Sequence, residues 1–307
     1  MTALAEAWLL GFLLAATLGA GALAVFSAGI LLQERWVEPL RPVLGAAAGA
    51  AWLLIPFALP LLPVLDRLYP WTDGAKAIAV PAAGAAILAL WALLGRLLAR
   101  PAPTRWRAGA ALLLVALSAA IGFEDWALSR DPGWVGSLHG IALMVGGAAA
   151  VLSLAVLGRG EPKDLTARTG LERALLTLGI FALWLWFVQF LTVWAADLPA
   201  EAAWYLRRQE GGWFWLKAAV AVPALLGAIA LSALPQWRPW RMRLVCALLV
   251  VQHAALVLWT VRPDAPLAPG AALGQPSAVA DVIVIGLLGI VLLLAGRAAR
   301  RRAENPV

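Results

Sequence analysis

The sequence is poor in charge, in cysteine and in histidine. Only 13% of its 307 residues are charged, about half the share found in an average soluble domain. Its one cysteine, Cys246, can form no disulfide within the chain. Its two histidines are too few for a metal site built from protein ligands alone. These shortages exclude a soluble enzyme, a disulfide-stapled fold and a nucleic-acid-binding module as the main interpretation.

Apolar residues make up 63% of the chain and fall in long runs between clusters of charge. A helix that spans a membrane needs about 20 mostly apolar residues. Nine runs meet or approach this length, and the fourth and ninth are short. We therefore expect an all-α, polytopic bundle of about nine transmembrane helices that forms one integral membrane domain, 1–307, with eight or ten spans as the alternatives. The predicted spans are 8–32, 42–65, 78–98, 108–123, 135–157, 174–196, 215–235, 244–261 and 278–295.

The basic residues predict how this bundle lies in the membrane. If nine helices alternate in direction, 17 of the 24 lysine and arginine residues fall on the side that also holds the C-terminal tail. Cytoplasmic loops carry such an excess of positive charge. We therefore expect a periplasmic N-terminus, a cytoplasmic C-terminus, and lipids as the partners of the apolar surface.

Two loops on the predicted periplasmic side combine acidic, basic and aromatic residues, namely 122–134 and 195–212. Both could form short helices at the membrane interface, and Asp197 could cap the second one ahead of Pro199. The loops serve as a docking face, as the mouth of a quinone pocket, or only as a seal on the bundle. The structural or docking candidates in them are Trp126, Ser129, Asp131, Trp134, Trp194, Asp197, Glu201 and Arg207.

Three polar residues fall at a similar depth near these loops. His139, Gln189 and Asp125 are the quinone-proximal candidates, because a quinone site needs an apolar slot with one or two hydrogen-bonding groups. We expect Asp125 to be held by an arginine, either Arg130 or Arg207. His139 and His253 could instead ligate a haem b, although packing is the simpler role for His253.

Two stretches resemble a known family. Residues 125–140 read DWALSRDPGWVGSLHG, and residues 187–201 read FVQFLTVWAADLPAE. Both are similar, in order, to motifs of the F subunit of alternative complex III, the quinone-binding subunit 2 of quinol:cytochrome c oxidoreductase. The similarity runs from about residue 8 to residue 262. The second motif departs from the family pattern at Asp197 and Ala200, which favours a scaffolding role over a working quinone site.

The resemblance implies an accessory subunit of a respiratory electron-transfer complex in a bacterial inner membrane, related to polysulfide-reductase-type membrane anchors. Its implied partners are a homologous quinone-binding membrane subunit, haem c subunits and an iron–sulfur subunit, with a terminal oxidase as a further associate. The chain itself would bind no redox cofactor, and quinone would be its one candidate ligand. A stand-alone membrane transporter and a haem b cytochrome remain the alternatives.

Overall fold

We describe the fold from a computed structural model, which covers residues 2–72, 74–100, 103–134, 136, 138–234, 239–269 and 277–290. These residues are almost entirely helical and contain no strand. The helices are α1 (Thr2–Leu32), α2 (Val37–Leu68), α3 (Lys76–Leu98), α4 (Arg105–Leu128), α5 (His139–Arg159), α6 (Leu165–Ala196), α7 (Pro199–Arg207), α8 (Gly211–Ala233), α9 (Trp240–Leu267) and α10 (Ala278–Ile290).

The prediction of an all-α polytopic bundle is confirmed. Within the described residues, eight helices are long and apolar enough to cross a membrane, namely α1 to α6, α8 and α9. Helix α10 is the described part of the predicted ninth span, and residues 291–295 of that span lie outside the described residues. Residues 135, 137 and 235, which fall inside two other predicted spans, lie outside them as well.

The long helices form two four-membered bundles joined along α1 and α5. In the first bundle α1, α2, α3 and α4 pack in a ring, and in the second α5, α6, α8 and α9 do the same. In α1 and in α5, 83% of an 18-residue apolar stretch is buried, the largest share among the eight spans. These two helices are therefore the most deeply enclosed. The outer helices keep broad apolar faces exposed, as a membrane protein requires.

Glycine allows α1 and α5 to touch backbone to backbone. A side-chain carbon added at Gly21 would overlap the carbonyl carbon of Gly147, and one added at Gly147 would overlap the carbonyl oxygen of Thr17. Close approach through small residues is how helices associate in lipid, where apolar burial gives little drive. The small residues of α1 and α5 therefore set the distance between the two bundles.

Segments of 3₁₀ or π helix interrupt three of the long helices, namely α2, α4 and α8. Prolines in α2 leave backbone carbonyls without donors, and that helix passes through two 3₁₀ segments, Ala50–Leu53 and Leu59–Val64. Helix α4 ends in a π-helical turn, Glu124–Leu128, and α8 contains another, Leu216–Ala221. Such turns are frequent at functional sites.

Side-chain contacts bring the segments predicted for the periplasmic side together at one end of the bundle. Tyr69 Oη donates to the carbonyl oxygen of Trp126 at 2.7 Å, and Trp71 Nε1 donates to Ser129 Oγ at 2.7 Å. Arg130 reaches Glu6, at the start of α1, at 2.5 Å. We call this the outer end and the opposite one the inner end. The compartment that each faces stays a prediction.

Candidate functional site

Buried ion pairs hold the outer end together. Arg130 is fully buried, and its Nη2 lies 2.5 Å from Glu6 Oε1. Arg262 Nη1 lies 3.4 Å from the other oxygen of Glu6, and Arg262 also pairs with Asp281 of α10. These contacts tie the first helix of the chain to α9 and α10.

A second group of ion pairs surrounds Asp264. Arg208 and Asp264 are both fully buried, and their side chains meet at 2.5 Å. Arg207 pairs with Asp131 and lies 3.6 Å from Asp264. Arg208 also donates to the carbonyl oxygens of Trp259, Trp204 and Thr260. Burial lowers the pKa of Arg208 to about 10, and Asp264 partly opposes that shift.

The two groups together form what we call the outer ionic cluster. It balances four arginines against four carboxylates, since a buried charge is costly unless it is paired. The cluster joins α1, the α4–α5 connection, α7, α9 and α10. Its members are Glu6, Arg130, Asp131, Arg207, Arg208, Arg262, Asp264 and Asp281.

The predicted arginine partner of Asp125 is wrong. Arg130 pairs with Glu6 and Arg207 pairs with Asp131, whereas Asp125 is only half-buried. Lys76, rather than an arginine, is the cation whose charge acts on Asp125. The sequence does not reveal which charges the folded chain brings together. A signal was present in Glu6, because a lone carboxylate beside a long apolar run needs a counter-charge.

An aromatic cage lies beside the ionic cluster at the outer end of the second bundle. We define the cage by six rings, each in contact with at least two of the others, those of Trp134, His139, Trp186, Trp204, Tyr205 and Trp259. Trp134 stacks on Trp204 at 4.5 Å between ring centroids, and His139 meets Trp186 edge to face at 4.7 Å. The guanidinium carbon of Arg208 lies 3.3 Å from the Trp204 centroid. Cation–π contact therefore couples the cage to the ionic cluster.

The polar atoms of the cage are buried without hydrogen-bond partners among the residues that the structure describes. Seven such atoms occur here: both ring nitrogens of His139, the phenol oxygen of Tyr205 and the indole nitrogens of the four tryptophans. An indole N–H and a phenol O–H are donors, and buried donors normally have a partner. Burial also raises the pKa of Tyr205, so the phenol keeps its proton. The cage thus presents donors to which the described part of the chain supplies no acceptor.

The first bundle provides a partial comparison, because several of its aromatic donors are paired, whereas the indole nitrogen of Trp36, just before α2, is buried without a partner among the described residues. Trp8 donates to the carbonyl oxygen of Phe57 at 2.8 Å, and Trp91 donates to Ser118 Oγ at 2.8 Å. Tyr69 and Trp71 are paired as described above. Among the described residues, unpartnered aromatic donors are thus concentrated in the second bundle but not confined to it.

The structure brings together two of the three quinone-proximal candidates. Gln189 Oε1 accepts from the backbone N–H of Leu138 at 3.3 Å and so lies beside the start of α5, where His139 is in the cage. Asp125 makes no such contact among the described residues. Glu124 takes its place, because its Oε1 accepts from the Gly136 N–H at 3.1 Å, three residues before His139.

The loop candidates divide into packed and exposed residues. Trp126 packs in the first bundle against Phe12, Trp91 and Phe123. Ser129 accepts the Trp71 hydrogen bond, Trp134 belongs to the cage, and Asp131 and Arg207 belong to the ionic cluster. Trp194 is 70% exposed, Asp197 is exposed and Glu201 is half-buried.

Both interfacial loops differ in detail from the prediction. Part of the first, 122–134, continues α4 as its π-helical turn rather than forming a separate interfacial helix. The second contains α7 with Pro199 at its first position, as expected, but Leu198 is its N-cap residue. Asp197 instead ends α6 in the left-handed conformation, with φ of 50°. A short polar side chain tolerates that conformation.

The two histidines lie at different depths. His253 Nε2 is 2.9 Å from Thr17 Oγ1 in the middle of the molecule. A side-chain carbon added at Gly146 would touch the His253 ring, and Gly146 follows His139 by seven residues, about 10 Å along a helix. The structure therefore does not bring the two imidazoles together as haem ligands. In the described part of the chain, no three His, Cys, Asp or Glu residues cluster as a metal site would need.

Comparison of the sequence with models of known protein families and with curated proteins finds no match to either.

Proposed function

We propose that this chain is an integral membrane subunit of a bacterial respiratory quinol:cytochrome c oxidoreductase, similar to alternative complex III, and that its main role is scaffolding. The resemblance of residues 125–140 and 187–201 suggests the complex. The observation that carries the scaffolding role is the outer ionic cluster, because it fixes five separate segments into one surface. A fixed surface suits the binding of other subunits.

The outer end also has apolar residues that a partner could cover. Trp194 is 70% exposed, Leu206 57% and Leu198 50%, and all three lie at or next to α7. Exposed apolar groups beside a polar surface are typical of protein interfaces. In the proposed complex this rim contacts the haem c and iron–sulfur subunits, which carry the electrons.

Affinity purification of the tagged chain from membranes of its native host tests the scaffolding role. We expect haem c and iron–sulfur subunits to co-purify, and the double substitution Trp194→Ala and Leu206→Ala to lower their yield at least fivefold. The matched control is Leu117→Ala, at an exposed apolar position of α4 away from this end. A lone, stable protein with no haem c would instead favour a transporter. A haem b spectrum that follows this chain would favour a cytochrome.

A quinone site at the aromatic cage is a second candidate function, favoured by its unpartnered donors. Quinone carbonyl oxygens are acceptors, and the cage offers indole, phenol and imidazole donors in an apolar setting. Glu124, near the start of α5, provides a carboxylate on the same side. In this role the site would bind the ring, and partner subunits would take the electrons.

Turnover of quinol by the assembled complex tests this second function. The variants are His139→Ala and Gln189→Ala, and the control is Trp91→Phe in the first bundle, where the Trp91 indole donates to Ser118. We expect the two site variants to lose more than tenfold in rate, about 1.4 kcal/mol of transition-state stabilisation. Normal rates with normal assembly would reject the quinone site and leave scaffolding.

The location in a bacterial inner membrane, with the outer end in the periplasm, is part of the same proposal. It can be tested with single cysteines placed at Gln209, exposed at the outer end, and Lys163, exposed at the inner end, in a Cys246→Ala background. A membrane-impermeant thiol reagent should label position 209 in cells with a permeabilised outer membrane. It should label position 163 only after the inner membrane is opened. The reverse pattern would overturn the orientation.

A further inference from the structure

A groove at the inner end separates the start of α2 from the α5–α6 connection. Its volume is about 390 Å³, within the range of about 300–1,000 Å³ found for small-molecule sites. Its lining consists of Arg35, Glu38, Pro39, Pro162, Lys163, Asp164 and Ala167. The groove lies at the inner ends of apolar helices and beside basic loops, where a membrane protein is expected to meet the lipid headgroups.

Hydrogen bonds fix the walls of this groove. Arg159 Nε donates to the carbonyl oxygen of Pro39 at 3.1 Å and so ties the α5 end to α2. Arg168 Nε donates to the carbonyl oxygen of Pro162 at 2.6 Å. Asp164 Oδ2 accepts from the Ala167 N–H at 2.8 Å and caps α6. The groove is therefore a shaped feature rather than a gap between loose loops.

Charges of both signs line the groove. Arg35 and Lys163 are exposed on its two walls, and neither forms an ion pair with a described residue. Glu38 is paired weakly with Arg41 at an exposed site, at 3.1 Å, and Asp164 uses one oxygen for its cap. Two cations can bind a phosphate, and the carboxylates can accept hydrogen bonds from an ammonium group.

We propose that this groove binds the headgroup of a phospholipid that carries both a phosphate and a primary ammonium, as phosphatidylethanolamine does. The phosphate contacts Arg35 and Lys163, and the ammonium faces Glu38 and Asp164. The acyl chains run from the groove along the apolar surface that begins at the exposed Leu32 and Leu165. A bound lipid of this kind would fasten the inner end of α2 to that of α6.

Native mass spectrometry of the full, delipidated chain tests this proposal with added phosphatidylethanolamine, phosphatidylglycerol and phosphatidylcholine of equal acyl length. We expect phosphatidylethanolamine to bind most tightly. The substitution pair R35Q and K163Q should weaken it at least tenfold, whereas R100Q and R107Q, exposed at the same end, should not. Equal loss in both pairs, or no loss in either, would overturn the site.

Removal of the two carboxylates tests the choice of headgroup. The pair Glu38→Gln and Asp164→Asn keeps the helix cap, because asparagine caps as well as aspartate. We expect this pair to abolish the preference for phosphatidylethanolamine over phosphatidylglycerol. A preference that survives would overturn the ammonium contact. Inorganic phosphate that displaces the lipid at millimolar concentration would show an ion site and overturn the lipid assignment.

Discussion

Removal of the Asp264 carboxylate should be strongly destabilising. Asp264→Asn leaves Arg208 buried, with its positive charge no longer balanced at 2.5 Å. Loss of one member of a buried ion pair costs about 3–5 kcal/mol. Arg208 keeps three backbone carbonyl acceptors, so we expect the lower part of that range, about 3 kcal/mol.

The assay is unfolding of the purified chain in mixed micelles by a denaturing detergent, followed by tryptophan fluorescence. The matched control is Arg41→Gln, which breaks the exposed pair with Glu38 and should cost less than about 1 kcal/mol. Replacing both Arg208 and Asp264 by apolar residues should cost less than Asp264→Asn alone, because no buried charge is then left unpaired. Equal costs for Asp264→Asn and Arg41→Gln would refute the reasoning.

Two further perturbations examine the packing of the same fold. Both tyrosines of the chain are buried and have raised pKa values, mainly through burial, so tyrosinate absorbance should be absent in the folded protein as the pH passes 10. The unfolded chain ionises tyrosine near pH 10, whereas the folded chain keeps both phenols protonated there. The free energy of unfolding is therefore unaffected by these groups below pH 10 and falls as the pH rises above it. Tyrosinate formation at pH 10 without unfolding would contradict the assigned burial. Gly147→Val should block folding or lower the yield severely, since its side chain would overlap the Thr17 backbone. The control Gly286→Val should be tolerated, because no atom lies within 4 Å of the added side-chain carbon. Similar yields of the two variants would refute the close α1–α5 contact.

The span pattern could be predicted from the sequence because it depends on local composition. Long apolar runs predict where the helices lie along the chain. The assumption that successive helices alternate in direction correctly groups the outer segments at one end of the bundle. Partners across the bundle could not be predicted in this way, because Glu6 and Arg130 are separated by 124 residues. The pairing depends on how α1 packs against the α4–α5 connection, and a hydropathy pattern does not encode that contact.

The candidate site was only partly accessible to sequence reasoning for the same reason. His139 and Gln189 were found because polar groups near a span end are conspicuous. The sequence favours Asp125 as the acidic candidate near His139, yet in the structure its neighbour Glu124, in the π-helical turn, contacts Gly136. Neighbouring residues of a helix point about 100° apart, so Glu124 and Asp125 face different directions. The sequence does not predict the π-helical turn in which they lie.

The aromatic cage contains donors for which the described residues provide no acceptor. A buried donor without a partner costs about 1–3 kcal/mol, and seven unpartnered polar atoms would approach or exceed the whole stability of a typical domain, about 5–15 kcal/mol. Edge-to-face contacts such as that of His139 with Trp186 offset a part of this through N–H···π attraction. Trp8, Trp71 and Trp91 of the first bundle each donate to an acceptor within the chain. An acceptor from beyond the described residues, such as ordered water or a quinone ring, would partner these donors, and the turnover assay tests the quinone.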